Sequence, residues 1–372
     1  NEKEAVRGKN MARDMTKGRI LPQMTAFAIP LILGNLFQIL YNATDSIIVG
    51  KFVGDDALAA VGTAGPIMNM AILFISGMCM GAGILMSTLY GAKDMKNLEK
   101  QISTTLIGGL VFSLLIAFLM IVFAVPILRL INSPEEIIGS AAIYLRVVFL
   151  GLIFTFVYNF LANTLRALGD SRTPLYFLVI SAFLNVAGDL LFVVTLKLGV
   201  MGSAVATVLS EALCCVCCGI YVKLKVPVLC LGKRWRVFER RVLWKTFSYG
   251  ITSALQQMCV QLGKILVQAI INVQGVAFIA AFTAINRVDD FVLSPEGNIA
   301  HATTTFIAQN RGAGDVERVK KGYRCGIIME LIFSVAVSVI VFFAAAPLMK
   351  MFVADDSDKH FHKLSLAVII HH

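Results

Sequence analysis

The stretch "LFQILYNATDSIIVG", residues 36–50, is apolar enough to lie in a lipid bilayer, yet it carries Asp45 together with the amides Gln38 and Asn42. Its reading depends on the solvent around it. The 372-residue chain is 58% hydrophobic and 15% charged, with a mean hydropathy of +0.79, whereas a soluble domain carries about 25% charged residues. The fold class is therefore an all-α polytopic membrane protein. Apolar runs of about 20 residues place spans at 21–45, 57–80, 101–125, 138–162, 174–196, 200–222, 247–271, 276–299 and 325–347. The polar, basic residues 1–20 run straight into the first span, without the pattern of a cleaved signal peptide.

Positive charge alternates between loops. Lys93, Lys96 and Lys100 follow the second span, Arg166 and Arg172 the fourth, Lys223, Lys225, Lys233, Arg234, Arg236, Arg240, Arg241 and Lys245 the sixth, and Arg311, Arg318, Lys320, Lys321 and Arg324 the eighth. The other loops hold little beyond Lys51, Arg129 and Lys197. Positive loops stay on the cytoplasmic side, so the N-terminus is expected there, in a multi-pass protein of the cell membrane. Topology accounts for the net charge of +10; nucleic-acid binding would need a basic folded surface, and none is evident.

The chain also repeats. A shift of 221 residues lays "LAAVGTAGPI" (58–67) on "IAAFTAINRV" (279–288) and "YGAKDMKNLEK" (90–100) on "RGAGDVERVKK" (311–321). In both halves the Gly-Ala-x-Asp turn follows the second span, so the repeats are parallel, related by an axis along the membrane normal. The expected organisation is a cytoplasmic segment 1–20, a first lobe 21–222, a basic linker 223–246, a partial second lobe 247–350 and an atypical tail 351–372.

Pro30, "ATDSIIVG" at the end of the first span, "LAAVG", "YGAKD", "NTLRALGDSRTP" (163–174) and "TTTFIAQNRGAGDVERVKKG" (303–322) together resemble the multidrug and toxic compound extrusion (MATE) family, closest to its DinF-like bacterial branch. The resemblance runs from about residue 15 to 350. It implies two six-helix lobes around a V-shaped cavity, and export of organic compounds in exchange for Na⁺ or H⁺. Against a twelve-helix pattern this chain is about three spans short, so its second lobe is expected to be incomplete.

A charged side chain at membrane depth costs roughly 2.5 to 3.5 kcal/mol and usually serves function. Asp45 reads either as a helix-end residue snorkelling to the surface or as part of a buried site. In the fifth span "NVAGD" places Asn185 and Asp189 four apart, on one helical face. With Thr207 and Asp45 they match the spacing of the family's first-lobe cation site, so the resemblance implies Asp45, Asn185, Asp189 and Thr207 as the coupling residues. Their hard oxygens suit a small cation, or the acids can carry a proton. Pro30 is expected to be the bend point of the first span, because its ring removes one backbone hydrogen bond.

In the second half, residue 266, the counterpart of Asp45, is Leu, and Gln256 and Gln257 stand where another branch has an acid. Coupling is therefore expected in the first lobe. The eighth span carries Arg287, Asp289, Asp290, Glu296 and His301; these either neutralise one another as a lock with Lys264 or present Glu296 to a substrate beside the helix break at Pro295. Cavity candidates are Gln38, Asn42, Asn69, Gln256, Asp290, Glu296 and His301, with the Met- and Phe-containing 69–80 as the favoured contact segment. The run "CCVCC" (214–218) cannot converge on one metal, because neighbouring helical residues point about 100° apart; it reads as packing.

No Walker loop, dinucleotide fingerprint or catalytic triad appears. The expectation is an ion-driven antiporter, not an enzyme, without cofactor or metal beyond a coupling Na⁺, acting as a monomer on small organic molecules. A lipid-linked precursor flippase and a non-transporting remnant are the alternatives.

Overall fold

The computed structural model describes residues 14–131, 133–226, 237–272 and 295–352, and their regular structure is entirely helical. In chain order the helices are α1 (Ile20–Phe52), α2 (Asp55–Gly91), α3 (Met95–Leu130), α4 (Glu135–Leu150), α5 (Leu152–Ala167), α6 (Arg172–Asp189), α7 (Gly199–Lys225), α8 (Arg240–Asn272), α9 (295–312) and α10 (Val316–Phe352). Leu190–Thr195 prolongs α6 as a π-helix. Residues 276–294 of the eighth predicted span, with Arg287, Asp289 and Asp290, lie outside the described residues, as do residues 227–236 of the basic linker and 353–372 of the tail.

The surface is inverted relative to a water-soluble protein. Val111, Phe118, Phe183, Leu213 and Ile332 point outward, while Gln101, Thr104, Asn163, Asn185 and Asp189 are buried. Lipid is as apolar as leucine, so helices associate through small and polar residues rather than by hiding large ones. Six described helices are long and apolar enough to cross a bilayer, or seven if α4 and α5 form one span bent by 45° at Gly151. The sequence predicts that span as unbroken.

The long helices outrun the predicted spans because hydropathy marks only the portion in hydrocarbon. At 1.5 Å per residue, the 33 residues of α1 reach about 50 Å, against a hydrocarbon core of about 30 Å. One consequence bears on the site. Helix α1 continues to Phe52, so Asp45 lies within a helix and is 9% exposed.

The two halves agree bond for bond at their turns. Asp94 N–H donates to the Leu89 carbonyl and its side chain accepts from the Asn97 N–H; Asp315 N–H donates to the Asn310 carbonyl and its side chain accepts from the Arg318 N–H. Just before each Asp the chain takes a left-handed residue, Lys93 (φ 57°) and Gly314 (φ 76°). That conformation ends one helix, and the Asp caps the next.

Contacts between the lobes follow the same symmetry. A side chain at Gly91 would overlap the Gln309 carbonyl, and one at Gly312, the counterpart of Gly91, would overlap the Thr88 carbonyl. Farther along, Gly77 and Gly81 of α2 meet Ala254 and Gly250 of α8 backbone to backbone. On the other diagonal Met24, Phe27, Ala28 and Leu31 of α1 pack with Ile299, Ala302 and Phe306 of α9. The N-terminal segment closes over this end: Met15 is fully buried, its N–H donates to Gln309 Oε1 (3.2 Å), and its carbonyl accepts from Asn310 Nδ2 and Arg318 Nε.

Because the α2–α9 crossing leaves no room for a Cβ, Gly91→Ala is expected to cost about 1–3 kcal/mol of stability, read as a lower melting temperature in detergent. Gly139→Ala, where a Cβ meets nothing within 4 Å, is the control. Equal melting of the two variants would contradict the close crossing.

Candidate cation-coupling site

Three helices of the first lobe build the site. Helix α6 carries Asn185 and Asp189 one turn apart, α1 supplies Asp45, and α7 supplies Ser203 and Thr207. The α6–α7 crossing is lined with small residues; a Cβ on Gly188 would lie 3.0 Å from the Cβ of Ala206, so the polar side chains meet with little between them. Immediately after Asp189 the helix widens into its π segment, a local irregularity frequent at functional sites.

Ser203 Oγ donates to Asp45 Oδ1 at 2.6 Å, and Asn185 Nδ2 donates to Thr207 Oγ1 at 3.1 Å. The Asp45 and Asp189 carboxyls lie near enough to each other to interact electrostatically. Asp189 is fully buried and Asn185 is 1% exposed. No protein donor reaches either carboxylate oxygen of Asp189 or Oδ1 of Asn185. Orphaned acceptors in a dry interior are costly. Two neighbouring carboxylates are stable only when a positive charge accompanies them. The donor set is two carboxylates, an amide oxygen and a hydroxyl, which suits a small monovalent cation or a proton.

All four residues expected at the coupling site thus come together. The cavity candidates do not form one group. Gln38 and Asn42 precede Asp45 along α1 and are exposed, as are Asn69 on α2 and Gln256 on α8. Glu296 lines a cleft of about 450 Å³ in the second lobe with Glu330, Ile327, Leu331 and Ser334 of α10. His301 instead faces the first lobe, in a void of about 10 Å³ lined by Ser87, Asn163, Arg166 and Thr305. Asp290 lies outside the described residues.

Two polar residues of α7 escape a reading based on the fifth span alone. Ser203 stands four residues before Thr207 and Glu211 four after it, so the three form one stripe along α7. Thr155 Oγ1 of α5 donates to Glu211 Oε2. The i, i+4 spacing that singled out Asn185 and Asp189 would have found both. Among the cysteines, Cys214 and Cys218 are buried while Cys217 is exposed, a spread around the helix that accords with packing.

Paired helical repeats, an apolar exterior and an acidic site between helices are the attributes of a multi-pass secondary transporter rather than an enzyme. The family model MatE matches residues 30–191 and 252–370, and the chain belongs to this family of multidrug and toxic compound extrusion transporters. It is similar to two proteins of Bacillus subtilis (strain 168). The probable multidrug resistance protein YoeA is 29% identical over 95% of this chain and 78% of its own length. The probable multidrug resistance protein YpnP is 31% identical over 83% of this chain and 69% of its own length. Among solved structures, an outward-facing multidrug resistance MATE family transporter of the MOP superfamily shares the fold with a TM-score of 0.87 at 23% identity, covering 97% of this chain and 81% of that one.

The proximity of the two acids can be tested without any transport assay. With all eight native Cys replaced, an Asp45→Cys/Asp189→Cys pair is expected to bind one Hg²⁺ between its thiols and to resist later maleimide labelling. Full labelling of both thiols after mercury treatment would show that the two positions are not neighbours.

Proposed function

We propose that the protein exports organic compounds across the cell membrane in exchange for Na⁺ or H⁺, with the coupling ion held by Asp45, Asn185, Asp189 and Thr207. The proximity of the Asp45 and Asp189 carboxyls, with no protein donor on Asp189, carries this reading. An ion can drive a transporter only by binding its two conformations unequally. A site assembled from three separate helices meets that condition, because any tilt of α1 against α6 and α7 changes the distance between the acids.

Pro30 supplies the bend. It lies inside α1, lacks a backbone N–H and so leaves the Ala26 carbonyl without its helical partner. The half of α1 that bears Asp45 then swings on that point. With Lys and Arg on the loops that follow α2, α5, α7 and α9, the N-terminus is cytoplasmic. The sealed crossing at Gly91 and Gly312 then closes the cytoplasmic end. Substrate occupies the space between the lobes, with the exposed Gln38, Asn42 and Asn69 as its candidate contacts.

Asp45→Asn and Asp189→Asn remove charge at nearly constant volume. Each is expected to reduce efflux of a fluorescent dye to the level of cells lacking the protein, while membrane insertion stays normal. Efflux at the wild-type rate in both variants would refute first-lobe coupling. Pro30→Ala restores the missing backbone bond and is expected to slow transport severalfold with cation binding retained; an unchanged rate would remove the hinge.

A further inference from the structure

Just ahead of α1 the chain makes a tight turn, residues 14–18, held by the Asp14 carboxylate, which accepts from the N–H and the hydroxyl of Thr16. Asp14, Lys17, Gly18 and Arg19 are exposed, whereas Met15 is fully buried. One apolar residue thus anchors an otherwise exposed turn. Met15 joins the cluster that Met24, Phe27 and Leu31 of α1 form with Ile299, Ala302 and Phe306 of α9. Its seat is therefore shared between a helix of the first lobe and a helix of the second.

The rim of that seat is polar. The Met15 N–H donates to Gln309 Oε1 at 3.2 Å, and its carbonyl accepts from Asn310 Nδ2 at 3.1 Å and from Arg318 Nε and Nη2 at 3.2 and 3.1 Å. Arg318 also donates to the Gly18 carbonyl at 2.8 Å and to Gln23 Oε1 at 3.0 Å, with its guanidinium 5.2 Å from the centre of the Phe306 ring. Gln309 Nε2 donates in turn to the Ala167 carbonyl at the end of α5, at 2.8 Å. One amide thus ties the turn to both lobes, on the residue whose own carbonyl leaves no room for a side chain at Gly91.

Two features set this arrangement apart from ordinary packing. Under the 221-residue shift, Thr88, Leu89 and Asn97 stand where the second half has Gln309, Asn310 and Arg318. The three side chains that hold Met15 therefore have no equivalents in the first half, although the turns themselves agree bond for bond. The second feature is that the guanidinium of Arg318 is met by two carbonyls, an amide oxygen and a ring, with no carboxylate paired to it among the described residues. Neutral hydrogen bonds exchange for water at small net cost, whereas breaking a buried ion pair strands a charge. Such a closure can be undone and remade.

We infer that residues 14–18 form a releasable strap across the joint between the lobes. With Met15 seated, Gln309 and Arg318 hold this end closed; the end opens after Met15 leaves its seat, and reseating closes it again. The inference rests on the export reading only in requiring the lobes to part at this end.

The test uses the full chain with its eight native Cys replaced. In single-thiol variants in detergent, Met15→Cys is expected to react with a water-soluble maleimide about tenfold more slowly than Lys17→Cys, because only local opening exposes it. Adding Arg318→Met, which removes the guanidinium donors, is expected to make the two rates similar. In a Met15→Cys/Gln309→Cys pair, a short reducible thiol cross-linker is expected to stop dye efflux, and dithiothreitol to restore it. Full-rate efflux by a chain whose cross-link is confirmed by mass would show that Met15 need not leave its seat, and would overturn the strap. Equal reactivity at positions 15 and 17 without the Arg318 change, or a rate at position 15 that Arg318→Met leaves unaltered, would overturn it as well. Failure of the export reading looks different: the pair then exports no dye even before cross-linking, and the labelling rates alone decide the strap.

Discussion

Two carboxylates close together inside a bundle of helices repel each other, and each loses hydration on burial. The pair of Asp45 and Asp189 is therefore tolerable only with a positive charge beside it and with neutral oxygens close by. Much of the first lobe serves that condition. The small residues at the α6–α7 crossing bring Asn185 against Thr207, the length of α1 carries Asp45 into the interior beside Ser203, and the π turn begins where α6 has delivered Asp189. Under the proposed exchange, a stability cost of this kind, kept in place by close packing, is what would let an ion do work when it binds.

The second constraint is the seal between the lobes. At one end α2 and α9 cross so closely that glycine is required on each, and the requirement is reciprocal under the repeat. Met15, Gln309, Asn310 and Arg318 add a polar clasp around the same place. Apolar packing between α1 and α9 lies just above it.

Much of this was legible in the sequence because membrane helices leave their own polar residues conspicuous. Asn185 and Asp189 stand four apart in an apolar run, and the two Gly-Ala-x-Asp turns repeat their hydrogen bonds as they repeat their letters. Other parts were hidden for physical reasons. The break at Gly151 is invisible to hydropathy, since both sides are equally apolar. The neighbouring cysteine run masks Glu211 in the sequence, although its spacing from Thr207 places it on the site face. Polarity alone marks His301 as a cavity candidate, and the fold sets it beside Arg166 in a small void. Hydropathy also truncated α1 at Asp45, which made a buried acid resemble a helix end.

The central claim is that Asp45 and Asp189 together take up one positive charge, and its most direct test is the stoichiometry of cation binding at equilibrium. Purified chain in detergent at fixed pH would be titrated with ²²Na⁺ while released protons are counted, in the wild type and in the Asp45→Asn/Asp189→Asn double variant. The expected result is one cation bound per wild-type chain, as Na⁺ or as a proton that Na⁺ displaces, and none in the double variant. The same stoichiometry in both proteins would contradict the account.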